Sequence, residues 1–192
     1  MPWLIVALGY FLGCIPTAYI VGRLLKGVDI RQIGDGNMGA ANTFRQLGPK
    51  AGVAVGIIDA AKGAAAIIIA QAANLSLVAV LLTGTAVVVG HNWPVFLGFR
   101  GGRGEATTIG VLLTLLTLPM LILAGPAIAA HFIFRDTTKA APFIFVPLPL
   151  VCWLLEFSGA LIAYSIALPC LVGFTHFLRT RRVAETSGTG RA

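Results

Sequence analysis

Residues 52–73 read GVAVGIIDAAKGAAAIIIAQAA, a run in which only Asp59 and Lys62 carry a charge. A hydrocarbon core about 30 Å thick is crossed by a helix of about 20 apolar residues, so this run predicts a membrane span. The two charges stand three residues apart, on one face of such a helix. They either neutralise each other or extend a polar site into the membrane, because isolated charges are costly there.

The rest of the chain has the same character. Its 192 residues are 57% hydrophobic and 11% charged, which excludes an ordinary soluble domain. Further apolar blocks lie at about 2–22, 76–90, 106–123, 121–134, 140–156 and 158–178. We therefore predict an all-α integral membrane protein: a bundle of seven transmembrane helices forming a single domain over residues 1–192. The fourth and fifth blocks run together, and Pro119, Gly125 and Pro126 predict the turn between them.

The basic residues favour one orientation of this bundle. Of the 14 lysines and arginines, only Lys62 falls inside a span. The others lie in four polar stretches, 23–51, 91–105, 135–139 and 179–192. Seven spans put all four stretches on one side, whereas six would divide them. The positive-inside rule then predicts an external N-terminus and a cytoplasmic C-terminus. This distribution also explains the net charge of +7 without nucleic acid as a partner.

The first polar stretch contains GDGNMGAANTFRQLGPKAG, residues 34–52. Its start formally matches GxGxxG, but no strand–helix–strand unit for a dinucleotide fits between two membrane spans. Closely spaced glycines expose backbone N–H groups to an anion, amides add neutral donors, and arginine adds a fixed charge. The candidate ligands of a phosphate in this loop are Gly36, Asn37, Gly39, Asn42 and Arg45. The alternative is an ordinary connecting turn, in which glycine and asparagine are common.

The second polar stretch, GHNWPVFLGFRGGRGE at residues 90–105, repeats this combination of glycine and arginine. Its candidate ligands are Arg100, Gly101, Gly102, Arg103 and Gly104. His91 is either a general base or a structural hydrogen-bond donor. Two such loops facing one compartment, beside apolar helices, predict a ligand with a phosphate head and a lipid-like tail.

The three cysteines lie in apolar segments without ligand-like spacing, so we predict no metal site.

Three motifs resemble the PlsY family, the acyl-phosphate:glycerol-3-phosphate acyltransferases of bacterial membranes. GDGNMGAANTFR at 34–45 is similar to the family's GSGNxGATNxxR. GHNWPVFLGFRGGRG at 90–104 is similar to GHxxPxFxxFxGGKG, and Asp59-xx-Lys62-Gly63 is similar to DxxKG. The resemblance covers nearly the whole chain, and the family's topology agrees with the seven spans expected from the charges.

The resemblance implies transfer of a fatty acyl group from acyl-phosphate to the 1-hydroxyl of glycerol 3-phosphate, giving lysophosphatidic acid and phosphate. It implies an enzyme of phospholipid synthesis in the bacterial inner (plasma) membrane, with its active site facing the cytoplasm. The acyl-phosphate is already activated, so neither an acyl-enzyme nor a cofactor is expected. The base is the substrate's own phosphate or His91. Among the loop residues, Asn37, Asn42, Arg45 and Arg103 are the expected catalytic groups, and Thr138 and Arg179 join the glycines and Arg100 in substrate binding.

The chain departs from the family's pattern at several positions. Asp35 replaces a serine and Arg103 replaces a lysine. The third loop reads Arg135-Asp136-Thr137-Thr138 in place of a serine-bearing loop, and a threonine there still offers a donor. Of the C-terminal HxxNIxR pattern only Arg179 matches well, and His176 stands near the asparagine's place. An acid at position 35 repels a phosphate unless it is paired, and we expect its carboxylate to pair with Arg45 when no substrate is bound. These departures predict a divergent member with altered substrate or reduced activity.

Two alternatives of other classes are a membrane carrier for a small organic anion and a non-catalytic lipid-binding paralogue. Broken helices and loop arginines are compatible with a carrier. Against it, no inverted repeat is visible, and the basic groups gather on one face rather than at the membrane midplane.

Overall fold

The computed structural model describes residues 1–188, with side chains for residues 1–180, and its regular elements there are all helical. The α-helices are α1 (Pro2–Gly13), α2 (Thr17–Lys26), α3 (Ala40–Leu47), α4 (Pro49–Ala72), α5 (Leu77–Asn92), α6 (Glu105–Leu115), α7 (Thr117–Phe134), α8 (Thr137–Ala140), α9 (Pro142–Phe145), α10 (Leu148–Leu154) and α11 (Gly159–Gly188). Short 3₁₀ turns cover Ile30–Gln32 and Val95–Leu97.

Among the described residues, 6 helical segments are long and apolar enough to cross a membrane. They are Pro2–Lys26, Pro49–Ala72, Leu77–Leu97, Thr117–Phe134, Thr137–Leu154 and Gly159–Thr180. The prediction of an all-α integral membrane protein is confirmed. The fourth expected block corresponds to α6, whose 11 residues span about 16 Å at about 1.5 Å each. That is shorter than a hydrocarbon core of about 30 Å, so the seventh span stays a prediction.

The turn between the fourth and fifth blocks is not where the prolines predicted it. The chain leaves the helical conformation at Leu116, with φ −128° and ψ 49°, and re-enters a helix at Thr117. Pro119 lies in the first turn of α7, where its missing N–H costs no helical hydrogen bond. Pro126 lies inside the same helix. Position in the first turn therefore explains why Pro119 does not end the helix, whereas the interior position of Pro126 offers no such explanation.

The first membrane segment is interrupted between α1 and α2, at Pro16. The Ile15 carbonyl there accepts a hydrogen bond from Lys62 Nζ at 3.0 Å. Thr17 Oγ1 donates to Asp59 Oδ1 at 2.9 Å, and Lys62 Nζ lies 2.8 Å from the same carboxylate oxygen. Both charged side chains are buried. The expected pair is therefore formed, and it also joins α4 to the broken first segment.

Glycines allow the membrane helices to approach closely. A Cβ at Gly13 would overlap the Val87 carbonyl, and one at Gly90 would overlap the Tyr10 carbonyl, so α1 and α5 pack backbone to backbone. Gly63 brings α4 equally close to Thr107 of α6. Fully buried apolar side chains fill the core between these helices and α7, α10 and α11; they include Ile67, Val87, Val111, Leu112, Leu148 and Leu168. Large apolar side chains such as Trp3, Phe132 and Trp153 are exposed on the outside, as expected of a surface facing lipid.

Candidate active site

Three segments far apart in sequence meet around a polar cavity of about 630 Å³. They are residues 29–37, residues 93–103 and residues 175–179 of α11. The lining includes four arginines and two aspartates: Arg31, Arg100, Arg103, Arg179, Asp29 and Asp35. The excess of positive charge suits an anionic ligand, because guanidinium groups match the geometry of phosphate oxygens.

Asp35 lies between two of the predicted phosphate ligands. Its Oδ2 is 2.9 Å from Arg45 Nη2 and 3.5 Å from Arg103 Nη2. Its Oδ1 accepts a hydrogen bond from the backbone N–H of Asn37 at 3.1 Å. The pairing of Asp35 with Arg45 expected from the sequence is present, and the structure adds Arg103 to it. Arg45 itself is not part of the cavity lining and reaches the site through Asp35.

Asn42 is fully buried beneath the first loop. Its Nδ2 donates to the carbonyls of Ile30, Ile33 and Asn37, and its Oδ1 accepts from the N–H of Asp35. With these bonds its amide is committed to the loop backbone, which is at odds with the expected contact to phosphate. Asn42 is instead the residue that shapes the loop.

The other residues of the first loop divide between lining and shaping the cavity. Asn37 and Gly36 both line it. The Asn37 Oδ1 is buried without a hydrogen-bond partner among the described residues, so this amide has capacity left for a ligand. Gly36 adopts φ +67°, a left-handed conformation that favours glycine. Gly39 is absent from the cavity lining; it precedes α3, and its carbonyl accepts hydrogen bonds from the backbone and hydroxyl of Thr43.

The second loop folds back onto the C-terminal end of α5. The N–H of Gly101 donates to the Asn92 carbonyl at 3.2 Å, and that of Gly102 donates to the His91 carbonyl at 3.0 Å. These two N–H groups are therefore engaged within the protein, contrary to the expectation that they face an anion. A Cβ at Gly102 would overlap the imidazole of His91, so close packing is what requires glycine here. Gly104 takes φ +86° to start α6.

Arg179 fastens this loop to α11. Its Nη2 donates to the Asn92 carbonyl at 2.6 Å, and its Nη1 donates to the Gly101 carbonyl. The Asn92 side chain, which is buried, donates to Thr175 Oγ1 at 3.0 Å. Arg179 thus lines the cavity while holding the loop, and Asn92 and Thr175 are positioning residues that the sequence did not indicate.

His91 occupies a different environment from the one a general base needs. It is buried, and its Nδ1 lies 3.6 Å from Asp59 Oδ1, within the polar cluster formed by Asp59, Lys62 and Thr17. It lines neither the polar cavity nor the apolar groove described below. Of the two expected roles, the geometry favours the structural one, because a base must come within hydrogen-bond reach of its substrate.

Arg103 belongs to two cavities at once. It lines the polar cavity and also an apolar groove of about 500 Å³ between α8–α10 and α11. The walls of this groove are mostly hydrophobic, including Phe145, Val146, Ile166 and Val172, and its polar members are Thr138, Glu105 and His176. The Nε of Arg103 is buried without a hydrogen-bond partner among the described residues.

Arg100 lines the polar cavity and is exposed.

Arg31 lines the polar cavity, although from the sequence it was only one of the basic residues that set the membrane orientation. Its Nη2 lies 2.7 Å from Asp29 Oδ2, and its guanidinium lies over the Tyr19 ring. Hydrogen bonds from Arg31 hold the pKa of the Asp29 carboxyl below its usual range. The spacing Asp29-x-Arg31 next to a glycine-rich loop is a signal of an ion pair, but it does not reveal that the pair faces a cavity.

Comparisons with known proteins agree over nearly the whole chain. A family model described as glycerol-3-phosphate acyltransferase matches residues 3–186. The chain is 50% identical to glycerol-3-phosphate acyltransferase 4 of Dehalococcoides mccartyi, an alignment that covers 95% of this chain and 98% of the relative. It is 36% identical to the glycerol-3-phosphate acyltransferase of Parasynechococcus marenigrum, over 90% of this chain and 82% of the relative.

The fold is also that of a solved enzyme. The crystal structure of PlsY, an integral membrane glycerol 3-phosphate acyltransferase, in its glycerol 3-phosphate form superposes with a TM-score of 0.84 at 30% identity. The alignment covers 96% of this chain and 92% of that one. The lysophosphatidic acid form matches with a TM-score of 0.82 at 29% identity. The resemblance seen in the loop motifs is thus confirmed over nearly the whole chain, and the chain belongs to the glycerol-3-phosphate acyltransferase family of integral membrane enzymes.

Proposed function

We propose that this acyltransferase moves a fatty acyl group from acyl-phosphate to the 1-hydroxyl of glycerol 3-phosphate, producing lysophosphatidic acid and inorganic phosphate. The observation that carries the proposal is the position of Arg103 on the walls of both the arginine-rich cavity and the apolar groove. A small phosphate ester and a long acyl chain would then meet at one guanidinium.

The polar cavity fits the acceptor. Arg100, Arg103 and Asn37 line a space in which positive charge predominates. The amide oxygen of Asn37 is buried and has no hydrogen-bond partner among the described residues. Guanidinium groups bind phosphate through charge-assisted hydrogen bonds, and an amide oxygen accepts one from a glycerol hydroxyl. Asn42, Gly101, Gly102, Gly104 and Arg179 act on the acceptor indirectly, by holding the two loops in place.

The apolar groove fits the donor. Its hydrophobic walls would hold the acyl chain, while Arg103 and Thr138 at its polar end would hold the phosphate. The 1-hydroxyl oxygen attacks the acyl carbonyl carbon, and the bond from that carbon to the phosphate oxygen breaks. Phosphate leaves with the electron pair, and the hydroxyl proton passes to a phosphate oxygen. Because the anhydride is already activated, orientation of the two substrates and neutralisation of the departing charge supply the rate.

The topology that accompanies this function has seven spans, an external N-terminus and a cytoplasmic site in the inner (plasma) membrane. The supporting observation is that the arginines of the polar cavity all belong to the stretches rich in basic residues, which the positive-inside rule assigns to the cytoplasm. In this arrangement residues 1–192 form a single catalytic domain.

The test uses the purified chain in detergent with glycerol 3-phosphate and a palmitoyl donor. Three donors are compared: palmitoyl phosphate, palmitoyl-coenzyme A and palmitoyl-acyl carrier protein. We expect lysophosphatidic acid and an equal amount of phosphate from the first donor only. Product from a thioester donor would overturn the assignment of the donor. Uptake of glycerol 3-phosphate into vesicles without acylation would instead support an anion carrier, and binding without turnover would support a lipid-binding paralogue.

A further inference from the structure

We propose that Asp35 is a resident competitor of substrate phosphate: its carboxylate occupies Arg45 and Arg103 when the site is empty and is displaced when a phosphate binds. The inference rests on the proposed function, and it assigns to this residue the control of phosphate affinity. It would make Asp35 a specificity-determining residue of the acceptor site.

The two carboxylate oxygens of Asp35 have separate tasks. Oδ1 accepts the N–H of Asn37 and so closes the turn of the first loop. Oδ2 lies 2.9 Å from Arg45 Nη2 and 3.5 Å from Arg103 Nη2. An asparagine can accept the Asn37 N–H in the same way, and a serine can do so more weakly, because both side chains form this type of turn. Only a carboxylate performs the second task, so the turn alone does not require an acid.

The second task places a negative charge where a phosphate needs positive charge. Asp35 lines the polar cavity together with Arg103, so an anion entering the cavity meets the carboxylate and the guanidinium together. The phosphate must either replace Oδ2 on the guanidinium groups or bind beside a like charge. Arg45 is 52% exposed and Asp35 is 30% exposed, so water and salt screen the ion pair. Because the ion pair is screened, an incoming phosphate can replace the carboxylate on the arginines, as the proposal requires.

The same contact affects the departure of products. When phosphate leaves, the carboxylate returns to the two arginines, which lowers the affinity of the site for the released anion. Substrate affinity and inhibition by inorganic phosphate are therefore coupled through one side chain.

The experiment compares the wild-type chain with Asp35→Asn, which keeps the acceptor for the Asn37 N–H and removes the charge. Asp35→Ser is a second variant that also keeps an acceptor. Glu156→Gln is the matched control, because it removes one carboxylate from the exposed turn between α10 and α11. The measurements are kcat and KM for glycerol 3-phosphate, the inhibition constant of inorganic phosphate, and the direct binding of inorganic phosphate by calorimetry.

For Asp35→Asn and Asp35→Ser we expect KM and the phosphate inhibition constant to fall together, by about two- to fivefold for a screened ion pair. Glu156→Gln should change neither. Unchanged constants in both Asp35 variants would overturn the proposal, and so would a rise in KM, which would show that Asp35 orients the arginines for substrate. The calorimetric arm needs no turnover. If the wild-type chain makes no lysophosphatidic acid, the proposed function fails, while tighter phosphate binding by Asp35→Asn would still support the competitor.

Discussion

Arg103 is the residue on which the two cavities depend, since its guanidinium lines both of them. Arg103→Ala removes a charge-assisted contact to phosphate, worth about 1.5–3 kcal/mol, so kcat/KM should fall by about ten- to a hundredfold. Arg103→Lys should keep part of the activity, because lysine retains the charge but loses the planar fork.

Steady-state kinetics with both substrates check this prediction. A loss confined to KM indicates a contact that is equal in the ground and transition states, and a loss in kcat indicates one that tightens on the departing phosphate. Thermal unfolding in detergent controls for a collapsed loop. A well-folded Arg103→Ala protein with wild-type kinetics would contradict the role given to this residue.

Gly102 and His91 allow the two readings of the histidine to be separated. Gly102→Ala places a methyl group on the imidazole of His91, and overpacking of this kind costs about 1–3 kcal/mol. We expect a misplaced loop and low activity. Truncating the imidazole makes room, so the double variant Gly102→Ala/His91→Ala should be more active than Gly102→Ala alone. If His91 is the base, the double variant will be less active than Gly102→Ala. The measurement is kcat/KM of both proteins, with Tm as the control for folding.

At the scale of helices, the pair Asp59–Lys62 holds α4 to the broken first segment. Lys62→Met leaves the carboxylate of Asp59 buried without its closest cation, which should cost about 3–5 kcal/mol of stability. The double variant Asp59→Leu/Lys62→Met should be more stable than the single one, because no uncompensated charge remains.

Thermal unfolding in detergent measures both changes, and Lys50→Met is the control at an exposed lysine. A change within about 0.5 kcal/mol is typical of such surface sites. If Lys62→Met is as stable as Lys50→Met, the cluster does not hold the helices together.

At the scale of the whole molecule, α6 and α7 decide the topology. If each of them crosses the membrane separately, the loops before α6 and after α7 lie on the same side. In a background with Cys170→Ser, single cysteines replacing Lys50 and Thr137 should react with a membrane-impermeant maleimide only from the cytoplasmic side. Cysteines replacing Asn74 and Glu156 should react only from the outside. All four positions are exposed in the structure. Labelling of positions 50 and 137 from opposite sides would rule out seven spans.

The amino-acid sequence was sufficient for the features that depend on local composition. The length and apolarity of residues 52–73 predicted a span that the structure has as Pro49–Ala72, because the hydrophobic thickness of a bilayer sets the length of a helix. The positions of the two glycine–arginine loops were also predicted correctly, because clusters of glycine and arginine stand out locally in an apolar chain.

The tertiary structure decided which of those loop residues face a ligand. Asn42 and the N–H groups of Gly101 and Gly102 looked available in the sequence, yet they bond to backbone groups of the protein. Asp35 looked like a neighbour of Arg45 alone, yet it also approaches Arg103 from another loop. A hydrogen-bonding group is used by whichever partner the fold brings nearest, and buried polar groups rarely stay unpaired. Those partners come from helices far apart in the chain, so only their packing determines what remains free for substrate.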